Sequence, residues 1–117
     1  MDNNSQFFSD NYCVILVSTS SQAEAEKIAK VLVESQLAAC VSLVPISSIY
    51  TWDEKLHQEQ EWQLVIKTEQ ARFTAITLKV QELHSYEVPE IIALPVVAGS
   101  KSYLKWISKQ VNRSEEA

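Results

Sequence analysis

Two strand-like stretches joined by a very short turn constrain this chain more than any other feature in it. Residues 39–52 and 56–68 are rich in β-branched and aromatic side chains, and Asp53-Glu54-Lys55 between them reads as the turn of one hairpin. At ~3.3 Å per residue, the first arm alone reaches about 46 Å. A compact domain of 117 residues is only about 35 Å across. The tip must therefore project beyond its own sheet, unless the chain curls at Pro45 onto itself. The hairpin carries Tyr50, Trp52, Leu56 and Trp62, more apolar and aromatic surface than a lone domain leaves in water. A long bare edge also invites pairing with another chain. The expectation is an oligomer with Tyr50, Trp52, Leu56 and Trp62 in its interface.

The remaining segments supply one domain around that hairpin. Residues 14–17 are a continuous apolar run with β-branched members, which reads as a buried central strand. Ser21-Gln22-Ala23-Glu24 is a capping box, followed by Ala25, Ile28, Ala29, Leu32 and Val33 on one helical face ending near Ser35. Phe73, Ile76, Val80 and Leu83 mark a second helix. Residues 91–97 form a fourth strand whose flanking prolines suit a sheet edge. Gly99, the only glycine, breaks the chain before a third helix with Tyr103, Trp106, Ile107 and Val111. The predicted fold is α+β: a ferredoxin-like split β-α-β-β-α-β with an added C-terminal helix. Its antiparallel sheet has the order 4-1-3-2, a long projecting second-to-third-strand hairpin, and helices on one face. Residues 1–10 read as a flexible arm, 11–112 as a single domain and 113–117 as a flexible tail.

The charge balance narrows the partners. Ten basic against 15 acidic residues give a net charge of −5 and a pI near 5.0, the wrong sign for nucleic acid or anionic membranes. No apolar run approaches the ~20 residues that span a bilayer, and residues 1–10 lack the basic start of a signal peptide. Cys13 and Cys40 lie in apolar strand-like segments with no Cys-x-x-Cys spacing, so they read as free thiols in a cytoplasmic protein. In the order 4-1-3-2 another strand lies between them, too far for a disulfide. A single glycine rules out a P-loop, a Gly-x-Gly-x-x-Gly turn or a nucleophile elbow. The chain is expected not to be an enzyme.

The densest chemistry is in Leu83-His84-Ser85-Tyr86-Glu87-Val88-Pro89-Glu90, just before the apolar fourth strand. Pro89 fixes its own φ and keeps Val88 extended, so the polar groups sit on a stiff connector. Imidazole is the commonest metal ligand, and His84 is also well placed to end a helix. Tyr86, Glu87 and Glu90 can bind a ligand or serve structure, with Glu90 paired to Lys67 and the Tyr86 hydroxyl anchored. Trp52 and Trp106 can pack or wall a pocket.

His-x-Tyr-Glu-Val-Pro-Glu-Ile-Ile-Ala-Leu-Pro over residues 84–95 resembles the hallmark of the CutA family, the divalent-cation-tolerance proteins. Leu37-Ala38-Ala39-Cys40-Val41, the hairpin Ser48-Ile49-Tyr50-Thr51-Trp52-Asp53-Glu54-Lys55-Leu56, Ile66-Lys67-Thr68 and Tyr103-Leu104-Lys105-Trp106-Ile107 are similar to its other blocks, in order. The chain departs from the pattern at Ile46 and Glu54, where glycine is usual, and at Ser85, where proline is usual. The resemblance implies a homotrimer acting in the response to divalent metal ions, copper especially. It implies an inter-subunit cleft with Lys67, Tyr86, Glu87, Glu90, Trp52 and Trp106, for a metal or small molecule. Copper-binding relatives use a Cys and a His pair where this chain has Ser18 and Leu83-His84. The implied metal set is thus His84 with Glu87 and Glu90, a weak site, and no cofactor is required. The alternative is a PII-like sensor of a small anionic metabolite without direct metal binding.

Overall fold

The structure, a computed structural model, describes residues 6–8 and 11–113. The elements run β1 (Gln6–Phe8), β2 (Tyr12–Thr19), α1 (Gln22–Glu34), β3 (Cys40–Trp52) and β4 (Lys55–Glu69). A single 3-10 turn (Gln70–Arg72) then leads into α2 (Phe73–Leu83), β5 (Ile91–Pro95), β6 (Ala98–Ser100) and α3 (Lys101–Val111). Strands β3, β4, β2 and β5 form one antiparallel sheet in that order. With β2 to β5 counted as strands one to four, this is the expected 4-1-3-2 order, and the α+β ferredoxin-like reading holds. Strand β1 pairs with β6 in a separate ladder, so part of the stretch read as a free arm has paired backbone. Residues 1–5, 9–10 and 114–117, the rest of the expected arm and tail, lie outside the described residues.

Alternation decides what each strand buries. Leu64, Ile66 and Thr68 of β4 and Ile15 and Val17 of β2 are fully buried on one face. Onto that face α1 lays Ala25, Ile28 and Leu32, and α2 lays Ile76 and Val80, in one continuous cluster. Each such Ile or Leu contributes about 1.5–3 kcal/mol. Helix α3 goes elsewhere. Its Leu104, Ile107 and Val111 pack with Tyr12, whose side chain points opposite that of Cys13. The three helices therefore do not share one face, which corrects the expectation. Tyr12 Oη donates to Ser108 Oγ at 2.6 Å, and Ser108 Oγ donates on to Glu69 Oε2 at 2.6 Å. Gly99 is not a break but part of β6, where an added Cβ would lie 3.1 Å from Leu104 Cδ2. Cys13 and Cys40 are free thiols, with β4 between their strands.

The start of α1 is half the expected capping box. Ser21 Oγ accepts from the Glu24 N–H at 3.2 Å, but no bond returns from Glu24 to Ser21. The Glu24 carboxylate instead accepts from the Ser85 N–H at 2.7 Å and from Ser85 Oγ at 3.1 Å. The end of α1 is a Schellman arrangement: Gln36, at φ 62°, donates to Val33 O, and Leu37 donates to Leu32 O.

The hairpin ladder runs without a break from Cys40↔Lys67 through Pro45↔Trp62 to Trp52↔Lys55. It does not curl at Pro45. Because β2 reaches only as far as Thr19↔Trp62, residues 46–52 and 55–61 pair with each other alone. That ribbon of seven residues a side is about 24 Å long, within a molecule of 54 × 29 × 21 Å. Asp53 and Glu54 both have positive φ, 52° and 62°. The turn is thus a two-residue type I′ loop, not the expected three, since Lys55 already pairs with Trp52. A non-glycine residue in this region is strained by roughly 1–2 kcal/mol. Glu54→Gly should therefore raise stability by about 1 kcal/mol, seen as a higher urea midpoint at unchanged slope. A lower midpoint would mean the turn is not type I′ in solution.

Candidate functional site

The connector between α2 and β5 is pinned at its start to three other elements. His84 caps α2 through its N–H to Val80 O at 2.8 Å. Its ring does two further jobs. Nδ1 accepts from the Tyr86 N–H at 3.0 Å, which leaves Nε2 to donate to Ser18 O at the end of β2, 2.7 Å away. This pair of contacts assigns the Nε2–H tautomer. Ser85 is held by Glu24 of α1. Tyr86 Oη donates to Glu61 Oε2 of β4 at 2.7 Å, and its ring lies 4.8 Å from that of His84. Burial, then the bond to Glu61, pushes the Tyr86 phenol well above its ordinary range, so it stays a donor.

Between this connector and the root of the free ribbon lies a cavity of about 580 Å³, within the usual range for small-ligand sites. Ser18 and Glu61 form its floor; Ser48, Ile49, Tyr50 and Trp52 stand on the ribbon side, and Tyr86, Glu87, Val88 and Glu90 on the connector side. No Lys, Arg or His lines it. Glu61 is only 6% exposed. Partial burial, then the Glu61 charge, pushes the Glu90 carboxyl above its ordinary value, although Glu90 keeps an exposed edge.

The structure brings together Trp52, Tyr86, Glu87 and Glu90 of the expected cleft, and leaves out Lys67 and Trp106. Lys67 is on the same face of β4 as Glu61 but about 20 Å along it, where Nζ donates to Ser42 Oγ at 2.6 Å rather than pairing with Glu90. Trp106 stacks on Tyr103 of α3 at 5.6 Å, both partly exposed rather than packed in the core. The expected metal set does not converge. Both His84 nitrogens are engaged within the fold, and among the described residues no group of three or more His, Cys, Asp or Glu side chains could hold a metal ion. The residues present therefore do not fit a centre of His84, Glu87 and Glu90. Of the expected interface residues, Tyr50 stacks on His57 at 5.3 Å, and Tyr50, Trp52 and Leu56 are exposed. Trp62 packs against the helix-side core instead. The sequence reading missed Glu61. It shares a face of β4 with Glu59 and Gln63, a polar stripe in the sequence, and only the Tyr86 bond marks it out.

Two outcomes follow from this geometry. His84→Ala leaves Ser18 O and the Tyr86 N–H without their partners and should lower unfolding free energy by about 1–3 kcal/mol. A copper(II) titration of the same variant should give the native isotherm; lost binding would show that the ring swings free to coordinate. For Glu90, a raised folded pKa means that stability is lost as pH rises past the ordinary carboxylate range. Glu90→Gln should thus raise the thermal midpoint at pH 7, and the gain should vanish once pH falls low enough to neutralise Glu90 itself. A gain equal at every pH would assign the effect to packing.

Comparison with known proteins bears on the whole chain. Residues 13–110 match the family model described as CutA1 divalent ion tolerance protein. The divalent-cation tolerance protein CutA of Thermus thermophilus is 44% identical over 95 residues, 80% of this chain and 92% of that protein. The chloroplastic protein CutA of Arabidopsis thaliana is 41% identical over 95 residues, 80% of this chain and 52% of that protein, so the chain spans about half its length. Among solved structures, CutA from Synechococcus elongatus superposes with a TM-score of 0.88 at 33% identity, covering 92% of this chain and 96% of that one. With its fold, its connector and nearly all of its length matched, the chain belongs to the CutA1 divalent ion tolerance family.

Proposed function

We propose that this chain is a non-catalytic, self-assembling binding protein in the response to divalent cations, and that it presents the cavity at the root of its ribbon to a small ligand at a subunit boundary. The observation that carries assembly is the free ribbon. Ile49 is 64% exposed, Trp52 48% and Leu56 77%, and alternation puts Trp52 on one side of the ribbon and Ile49 and Leu56 on the other. Apolar groups on both sides favour burial between neighbours rather than against one covering helix. Half-exposed Val44, Ile92 and Leu94 on the helix-free face add to the surface available. The threefold state comes from the family resemblance.

The lining of the cavity favours binding over catalysis. The imidazole beside it has both nitrogens engaged, so no histidine base faces the space. Three carboxylates and no basic side chain disfavour the anionic-metabolite reading. Two free thiols suit a reducing compartment such as the cytoplasm. Copper tolerance in this reading does not run through His84 as a ligand.

Sedimentation equilibrium at micromolar concentration should give about three times the 13.2 kDa chain mass. Trp52→Ala should shift the equilibrium toward single chains, since buried Trp truncations remove ~3–5 kcal/mol. A native mass near one chain would overturn the assembly, and a mass near two would overturn its threefold form.

A further inference from the structure

Glu61 is the least expected group in the cavity. It is 6% exposed on the helix-free face of β4, and only one of its oxygens, Oε2, has a donor, the Tyr86 hydroxyl. Oε1 has no donor among the described residues and is not among the sealed polar atoms that lack a partner. A nearly buried carboxylate with one oxygen open to a cavity can take a donor from outside the chain. Glu87 and Glu90 line the same space, and no Lys, Arg or His of the described residues does. A bare metal ion is a poor match, because the carboxylates do not gather into a group that could hold one. The other walls are aromatic and apolar: Trp52, Tyr50 stacked on His57, Tyr86 and Val88. Aromatic faces attract a positive charge carried on an organic frame and bury its carbon stem.

We infer that the cavity binds an alkylammonium ion, with an ammonium N–H donating to Glu61 Oε1 and the alkyl stem against Tyr50 and Val88. This rests on the reading of the cavity as a ligand site and names its substrate class. A protonated amine supplies up to three donors and one positive charge, the complement of a floor with one open acceptor and a rim with two more carboxylates. Protonation of Glu90, whose carboxyl is already pushed above its ordinary value, removes one of those negative charges. Binding therefore weakens as pH falls.

The test uses three four-carbon probes that differ in charge, 1,4-diaminobutane, 1,4-butanediol and succinate, titrated calorimetrically into the assembled full chain. Diaminobutane should bind and the other two should not. Glu61→Gln, which keeps an acceptor for the Tyr86 hydroxyl, should weaken diaminobutane about tenfold or more, and Val88→Ser should weaken it as well. Glu34→Gln, an equal charge change on the exposed end of α1, should leave binding unchanged and so separates the site from general attraction to an acidic protein. Sedimentation and near-ultraviolet circular dichroism confirm that each variant is folded and assembled. Diaminobutane binding that ignores Glu61→Gln, or that falls equally with Glu34→Gln, overturns the inference. Val88-dependent binding of succinate or butanediol instead overturns the ligand class and leaves the cavity reading standing. No heat from any probe, with copper and a nucleotide equally silent, overturns both.

Discussion

Strand β4 outruns its neighbour β2, and most of what distinguishes this molecule depends on that mismatch. From Trp62 to Lys67 it lies inside a sheet, paired on both edges; from Lys55 to Glu61 it has β3 alone. The change of surroundings falls at one step of the backbone. Leu64 and Ile66 enter a core closed by two helices, whereas Leu56 has nothing over it. Glu61 stands at the boundary, which is why a carboxylate can be nearly buried there and still face open space. The cavity exists because the connector before β5 crosses this boundary and ties to it through Tyr86.

Much of the fold was legible because it rests on periodicity. The even-numbered run Trp62, Leu64, Ile66 and Thr68 announces one buried face, and Ile76 and Val80 announce another. Those patterns are local and survive whatever the chain does elsewhere. The projecting hairpin was legible for a different reason: its length exceeds what a compact domain can contain. The turn was read one residue too long, because neither Asp53 nor Glu54 is the glycine that usually marks positive φ.

The site was less legible, since its key bonds join residues far apart in the chain. His84 looked like a ligand because the sequence cannot show that Ser18 O and the Tyr86 N–H take both ring nitrogens. Glu24 looked like the second half of a capping box, yet its carboxylate is used on Ser85, 61 positions away. Lys67 and Trp106 were carried into the cleft by position in a motif; within one chain Lys67 bonds to Ser42 and Trp106 stacks on Tyr103. In each case the residue type was read correctly and the partner was not.

The two edges of the main sheet were closed at unequal entropic expense. The β3–β4 ladder begins at a two-residue turn, whereas β5 meets β2 in pairs such as Val14↔Leu94, 80 positions apart. Loop-closure entropy that grows with the logarithm of length makes the second junction about 3 kcal/mol harder to form. β5 holds only five residues, and Ile92 and Leu94 gain little from burial. The connector carrying Tyr86, Glu87 and Glu90 runs directly into this strand. The cavity thus has one wall on a ribbon that can zip up from its own turn and the other on the last strand to be recruited, so its width is governed by how firmly β5 is seated.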